Sequence, residues 1–522
     1  MTAERLMVAF AGHLLPEDVA AALGARPYAG VTLFRHWNVA SPEQVRALTA
    51  ALQVAARVRP LLIATDQEGG QLNALGDGTT PFAGAMALGA AADEDLCERV
   101  AAATGRELRA LGVNIDYAPV CDLATNPQNP ALGIRCFGDD PGSVGALAAA
   151  FVRGLQSVGV AATVKHFPGL GDAGADTHHG TAVVGLDRAA LERRELVPFA
   201  AAIAAGARLA MAGHMAVPAL TGEAGLPASL SLVALRDVLR KGLGFTGLTI
   251  TDALDMAAVA SGAGVDDPMT VAFGAGEDLL LGTPVVPLLN VSLEVTQDTA
   301  PTDRLAALRD WLAGFEQPEP SVVCCADHQA LAAELAARSV TLVRDDDGLL
   351  PLRLSEDGRV LVIEPQPADL TPADTTSTVT PTLAAALRRR HARTDEVITS
   401  AELPASEIAA LHERATGYDL VVLGSVAAHL QRSHAELARA VLAAGRPTIT
   451  VALRTPWDLL AYPEARAHAA TYGCLAPTTD ALAAALFGES DFRGRLPVSL
   501  GDLYPRGHGL RLGAAAGAAV SH

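Results

Sequence analysis

The chain has 522 residues, of which 50% are hydrophobic and 19% charged, with a formal net charge of −19. That length exceeds what one hydrophobic core usually holds and predicts two or three domains, and the composition is globular rather than disordered. The acidic balance argues against nucleic acid or an anionic membrane surface as the partner, since both require basic patches.

The opening residues, MTAERLMVAFAGHLLPED, lack a basic n-region and a small-residue cleavage site, and acidic residues follow at once. No apolar run is long and uninterrupted enough to span a bilayer. A protein made without a secretory signal, residing in the cytoplasm, is the expectation. Eight short runs rich in β-branched and aliphatic residues then follow: MVAF (7–10), GVTLF (30–34), LLIATD (61–66), VNIDYAP (113–119), ATVKH (162–166), LAMAGH (209–214), GLTITD (247–252) and DLLLG (278–282). Segments with helical spacing, such as SPEQVRALTAALQVAARV, separate them. This alternation predicts parallel strands with helical crossovers, and eight units suit a (β/α)₈ barrel over residues 1–315. Residues 316–338 read as a linker followed by a helix. VTLVRDD (340–346), VLVIEP (360–365), DLVVLGS (419–425), TITVAL (448–453) and HAATYG (468–473) then predict a smaller α/β sandwich domain with a mostly parallel sheet over 339–511. Residues 366–382, rich in Thr, Pro and Asp, read as a loop, and 512–522 as a flexible tail.

Several runs end in ionisable groups: Asp66, Lys165 with His166, His214 and Asp252. One such terminus means little, because strands often stop where polar residues begin. Several together point to a site at the C-terminal ends of barrel strands. Asp252 suits a nucleophile, a metal ligand or a helix N-cap. Asp66, in IATDQEGGQL, belongs to an acidic pair that either grips sugar hydroxyls or caps a tight turn. Arg135 lies in a loop rich in Asn, Pro, Gly and Asp, where it either ties the loop together or offers a bidentate fork to a ligand.

The segment KHFPGLGDAGADTHHG (165–180) concentrates a lysine, three histidines and two aspartates among glycines. Its histidines are too scattered for a zinc site, and its glycines make a phosphate cradle possible but unspecific. In Asp176-Thr177-His178 a carboxylate two residues away can fix the imidazole tautomer and raise its basicity, with the glycines allowing the unit to swing over a substrate. The six cysteines form no CxxC pair and read as reduced thiols. Neither GxGxxG nor GxxxxGK[ST] stands between a strand and a helix. No cofactor and no metal are expected.

KHFPGxG followed by D-[ST]-H resembles the bacterial β-N-acetylglucosaminidases of glycoside hydrolase family 3. GVTLF, TDQEGG, NIDYAPVCDLATNPQNPALGIRCFGDDP, MAGHM, LPASLS and GFTGLTITDALDM resemble the family's barrel motifs in order, and ARSVTLVRDDDGLLPL, GRPTITVALRTPWDLL and FRGRLPVSL resemble its second domain. The resemblance implies a retaining hydrolase of terminal β-linked N-acetylglucosamine, with muropeptide-like cell-wall fragments as substrate. It implies Asp252 as nucleophile, His178 as acid/base with Asp176 as partner, and Asp66, Arg135, Lys165 and His166 as holders of the first sugar. An imidazole acid/base does not repel an anionic acceptor, so phosphorolysis is an alternative; another β-glycoside specificity and an inactive sugar-binding protein are two more. Two departures stand out. Leu170 replaces the histidine of the usual KHFPGHG and is expected to change loop packing. Gln71 replaces the usual arginine after DQEGG and is expected to remove a charge near the first subsite. The second domain carries no assignable chemistry, although its loops could approach the barrel mouth.

Overall fold

Strands of Val, Ile, Leu and Ala that are buried on both faces need cover on both, and the first sheet of this chain obtains it by closing on itself, with side chains filling the inside and helices covering the outside. The computed structural model describes residues 3–174, 176–177, 180, 182–256, 267–289 and 300–512. Eight parallel strands close a barrel: β1 (Leu6–Val8), β2 (Gly30–Thr32), β3 (Leu62–Thr65), β6 (Ile115–Asp116), β7 (Ala161–Phe167), β8 (Leu209–Ala212), β9 (Leu248–Ala253) and β10 (Leu279–Leu281). Between β3 and β6 the chain adds an antiparallel hairpin, β4 (Gln67–Gly69) and β5 (Leu72–Asn73). The eight runs expected from sequence are the eight barrel strands.

The barrel interior is a packed core. Met7, Leu62, Ile115, Tyr117, Leu209, Leu248, Ile250 and Leu279 fill it, and none exceeds 1% exposure. The crossover helices start on caps legible in the sequence. Ser41 Oγ accepts from Gln44 N at the start of Pro42–Ala55, and Asp93 and Asp140 do the same for Glu94–Ala110 and Pro141–Ser157. Each cap satisfies a backbone donor that a helix start leaves without a partner.

A second sheet holds six strands: β11 (Thr341–Asp345), β12 (Val360–Pro365), β13 (Thr394–Thr399), β14 (Leu420–Ser425), β15 (Thr448–Ala452) and β16 (Ala467–Ala470), in the order β11-β16-β15-β14-β12-β13. All neighbours are parallel except β11 on β16. Sequence reading missed β13, because TDEVIT is a half-exposed edge strand whose polar residues hide the strand signal.

The chain divides into two compact units. One comprises Met1–Pro81, Asp93–Gln329 and Leu370–Thr375; the other comprises Phe82–Ala92, Ala330–Asp369 and Thr376–His522. Leu370–Thr375 falls in the 366–382 loop and belongs to the barrel unit. Among the described residues no helix is long and apolar enough to cross a membrane.

Candidate active site

The C-terminal ends of parallel barrel strands present side chains to one rim, and here they bring ionisable groups together. Asp66 follows β3, Glu68 lies in β4, Lys165 and His166 lie in β7, and Asp252 lies in β9. Arg135 closes a short 3₁₀ turn, Gly133–Arg135. Lys165, Arg135 and His166 are buried, at 1%, 5% and 6% exposure. A buried cation is costly unless paired, so these groups require counter-charges.

Glu68 supplies it. Arg135 donates to both its oxygens, Nε to Oε2 at 2.9 Å and Nη2 to Oε1 at 2.8 Å, in the bidentate geometry of a guanidinium on a carboxylate. Lys165 Nζ lies 2.5 Å from Glu68 Oε1 and donates to Asp66 Oδ1 at 2.6 Å. Burial alone would raise the Glu68 carboxyl, but the charges of Arg135 and Lys165 and their hydrogen bonds outweigh it and bring it down to about 2. Burial pulls the Lys165 ammonium down, and Asp66 and Glu68 overcome that and raise it. The Arg135 guanidinium is likewise raised, its desolvation outweighed by Glu68. Glu68 is therefore ionised at neutral pH and stands as the shared counter-charge of Arg135 and Lys165.

His166 is oriented from both sides. Its Nδ1 lies 2.7 Å from Asp122 Oδ2, and its Nε2 lies 3.4 Å from Arg135 Nη2. A protonated Nδ1 donating to Asp122, with Nε2 accepting from Arg135, satisfies both contacts. Asp122 is fully buried and also accepts from the backbone N–H groups of His166 and Leu170, at 3.2 and 2.7 Å. One carboxylate thus holds both the imidazole and the start of the loop that follows β7. Leu170 is itself buried at 3% exposure, in line with a packing role. Two glycines of this loop have a steric reason. A Cβ on Gly171 would lie 2.1 Å from Leu123 O, and one on Gly169 (φ +124°) 2.8 Å from Glu195 Cβ. Close approach to neighbouring backbone and side chains accounts for Gly169 and Gly171, whereas a Cβ on Gly174 would meet nothing nearer than 4.0 Å.

Glu195 lies beneath that loop at 0% exposure. Neither carboxyl oxygen has a hydrogen-bond partner among the described residues, although Arg194 Nη2 stands 3.3 Å from Oε1. Burial pushes this carboxyl up to about 8, against the pull of Arg194.

The β4–β5 hairpin is fastened to Leu370–Thr375. Thr375 N and Oγ1 both donate to Gln71 O, at 2.8 and 3.1 Å. Thr375 Oγ1 also accepts from Asn73 N at 3.0 Å, and Gln71 Nε2 donates to Ala373 O at 3.3 Å. Gln71 is 2% exposed. It acts as a clamp for this segment, which differs from the expected missing charge at the first subsite.

A pocket of about 190 Å³ is lined by Asp66, Arg135, Lys165, His166, Asp252, Met211 and Leu281, together with Phe34–Trp37 and Pro372–Thr375. Five of the seven residues singled out from sequence therefore meet on one cavity. Asp252 is partly exposed, and its Oδ1 accepts from Ala253 N at 2.8 Å. His214, completely buried beyond β8, donates from Nε2 to Ala253 O at 3.0 Å and accepts at Nδ1 from Ser229 Oγ at 2.8 Å, which steadies the tip of β9. Asp176 is buried at 5% exposure and does not line this cavity. His178 and His179 lie outside the described residues.

With this geometry in view, the likeness to known proteins is specific. Residues 8–299 match the glycosyl hydrolase family 3 N-terminal domain and residues 340–506 its C-terminal domain. The chain belongs to glycosyl hydrolase family 3. A glycoside hydrolase family 3 β-N-acetylglucosaminidase from Paenibacillus sp. str. FPU-7 is 33% identical, with a TM-score of 0.88 over 96% of this chain and 98% of that one. A β-hexosaminidase A of Pseudoalteromonas piscicida is 33% identical over 65% of this chain, and the match spans 63% of that relative's length. A β-hexosaminidase of Stenotrophomonas maltophilia (strain K279a) is 42% identical over 48% of this chain and 75% of its own.

Within this family 3 chain, sequence reading passed over Asp122 and the 370–375 segment, and met Glu68 only as the second acid of the pair with Asp66. Glu68 had a signal, since it is the second acid of DQEGG. Asp122 was one polar residue in a loop of many. The 370–375 segment had no local signal, because about 300 residues separate it from the hairpin it joins.

Proposed function

We propose that this chain is a retaining β-N-acetylglucosaminidase that removes terminal β-linked N-acetylglucosamine from peptidoglycan fragments. The observation that carries the reading is the position of the Asp252 carboxylate on the same cavity as the paired Asp66, Lys165, His166 and Arg135 cluster. The names of the similar proteins point to the same sugar.

In this reading the cluster binds one sugar ring by its hydroxyls, with Asp66 accepting, Lys165 and Arg135 donating, and His166 held at fixed orientation by Asp122. Groups already paired and oriented bind the ring without reorganising, so the anomeric carbon is presented to Asp252 in a reactive position. The Asp252 carboxylate attacks that carbon as the glycosidic bond breaks, and the leaving oxygen takes the proton of the His178 imidazolium. The neutral imidazole then removes a proton from water, which displaces Asp252 from the covalent glycosyl-enzyme. Asp176 holds the imidazole tautomer. The role of His178 rests on the Asp176-Thr177-His178 spacing.

The test is nitrophenol release from the 4-nitrophenyl β-glycosides of N-acetylglucosamine and glucose, with Asp252→Ala alongside. A clear preference for the N-acetyl sugar is expected, together with a loss on the order of 10⁴-fold in Asp252→Ala, the scale at which nucleophile removal typically acts. Undiminished turnover in Asp252→Ala would rule out the mechanism.

A further inference from the structure

The outer half of the pocket holds an arginine that the proposed chemistry does not use. Arg35 begins a short helix, Arg35–Asn38, that follows β2, and so stands at the same strand-end rim as Asp252. Its backbone is fixed by the fully buried Asn38, whose Oδ1 accepts from Phe34 N at 2.9 Å and whose Nδ2 donates to Phe10 O and Gly12 O at 2.9 and 3.1 Å. Its guanidinium lies flat against Gly76, where a Cβ would fall 1.3 Å from Nη1. The φ of +62° at Gly76 favours glycine there, and the missing side chain leaves the guanidinium room. Arg35 thus stands on a fixed backbone with its guanidinium over Gly76.

The pocket contains two other side chains with full positive charge, Lys165 and Arg135, and both are paired with carboxylates. Among the described residues, Arg35 makes no hydrogen bond and no ion pair. Asp66, Asp252 and Asp374 line the same pocket, and among the described residues none of them pairs with Arg35. Exposure sets the direction of the pocket. Lys165 and Arg135 are buried, whereas Trp37, two residues from Arg35, is 45% exposed. The sugar cluster is therefore the closed end, and Arg35 with Trp37 stands at the mouth, where the aglycone of a bound glycoside must lie.

We infer that Arg35 and Trp37 form an aglycone subsite for a carboxylate-bearing group, the guanidinium taking the carboxylate as a fork and the indole taking the apolar body. The planar five-donor guanidinium suits a carboxylate in a way a neutral aglycone cannot exploit, and an exposed indole beside it offers a flat apolar face. Pro372–Thr375 line the same pocket and narrow the choice of shapes. This subsite rests on the glycosidase reading, because it is defined by the bond that Asp252 breaks.

Two β-N-acetylglucosaminides separate the ideas, one of 4-hydroxybenzoate and one of 4-hydroxybenzamide, matched in size and differing in charge. The ratio of their kcat/KM values is compared between wild type and Arg35→Gln, so that the difference in leaving-group ability cancels; Arg35→Lys and a thermal melt control for folding. Binding of both glycosides to Asp252→Ala, with and without Arg35→Gln, is measured by calorimetry. The expected result is a drop of about tenfold in preference for the carboxylate on losing Arg35, in turnover and in binding, the usual scale of one charge-assisted hydrogen bond. Turnover of both compounds with an unchanged ratio would overturn the subsite and leave the hydrolase reading standing. No turnover, but charge-dependent binding that requires Arg35, would overturn the hydrolase reading and keep the subsite. Binding of neither glycoside would overturn both.

Discussion

Replacing Glu68 by glutamine removes the carboxylate shared by Arg135 and Lys165 while keeping the shape of the side chain. Its carboxyl is drawn from 4.5 down to about 2 by those two cations. At about 1.4 kcal/mol for each tenfold change in proton affinity, that lowering contributes ~3 kcal/mol of stability at neutral pH, consistent with the cost of breaking a buried ion pair. Because the folded-state value lies below the unfolded one, this stability is complete above pH 4.5 and lost as the pH falls towards 2. Glu68→Gln should accordingly be less stable than wild type by ~3 kcal/mol at pH 7, with the gap closing steadily below pH 4.5. Urea denaturation followed by tryptophan fluorescence from about pH 3 to neutrality measures it. Activity should fall as well, by on the order of 10²-fold in kcat/KM, because Arg135 and Lys165 lose the partner that aims them. A variant as stable as wild type at neutral pH, or a gap that does not narrow in acid, would refute the assignment of Glu68 as the counter-charge of the site.

Glu195 has the opposite sign. Its carboxyl is raised from 4.5 to about 8, so the folded state holds a proton that the unfolded chain releases, and stability falls as the pH rises through that window. Glu195→Gln, which cannot ionise, should match wild type near pH 4 and exceed it by ~4 kcal/mol at pH 8; thermal melts at the two pH values decide, and equal differences at both would exclude a buried neutral acid. Gln71→Ala removes the side-chain bond to Ala373 but leaves the backbone bonds to Thr375. KM should rise about fivefold with kcat nearly unchanged, as expected for one hydrogen bond of ~1 kcal/mol that orders a pocket wall; a large fall in kcat would mean that Gln71 reaches the reacting centre.

Much of this protein is readable along the chain because its determinants are local. Barrel strands such as Leu248–Ala253 are buried on both faces, so their apolar runs are visible without knowledge of the neighbours, and caps such as Ser41 and Asp93 announce the helices between them. Ionisable residues at the ends of those runs, Asp66, Lys165, His166 and Asp252, mark the rim for the same reason. Tertiary structure decided what those groups do to one another. The ionisation of Glu68 depends on Arg135, 67 positions away, and on Lys165, while the orientation of His166 depends on Asp122, 44 positions away. The role of Gln71 changed most. In the sequence it is a lost charge, and in the fold it is a buried clamp on Ala373, 302 positions away. Loop closure over such distances costs little extra free energy for each added residue, so the chain can recruit a remote segment to a pocket without leaving any local pattern to announce it. Charge pairing and burial are properties of neighbours in space, and only folding chooses those neighbours.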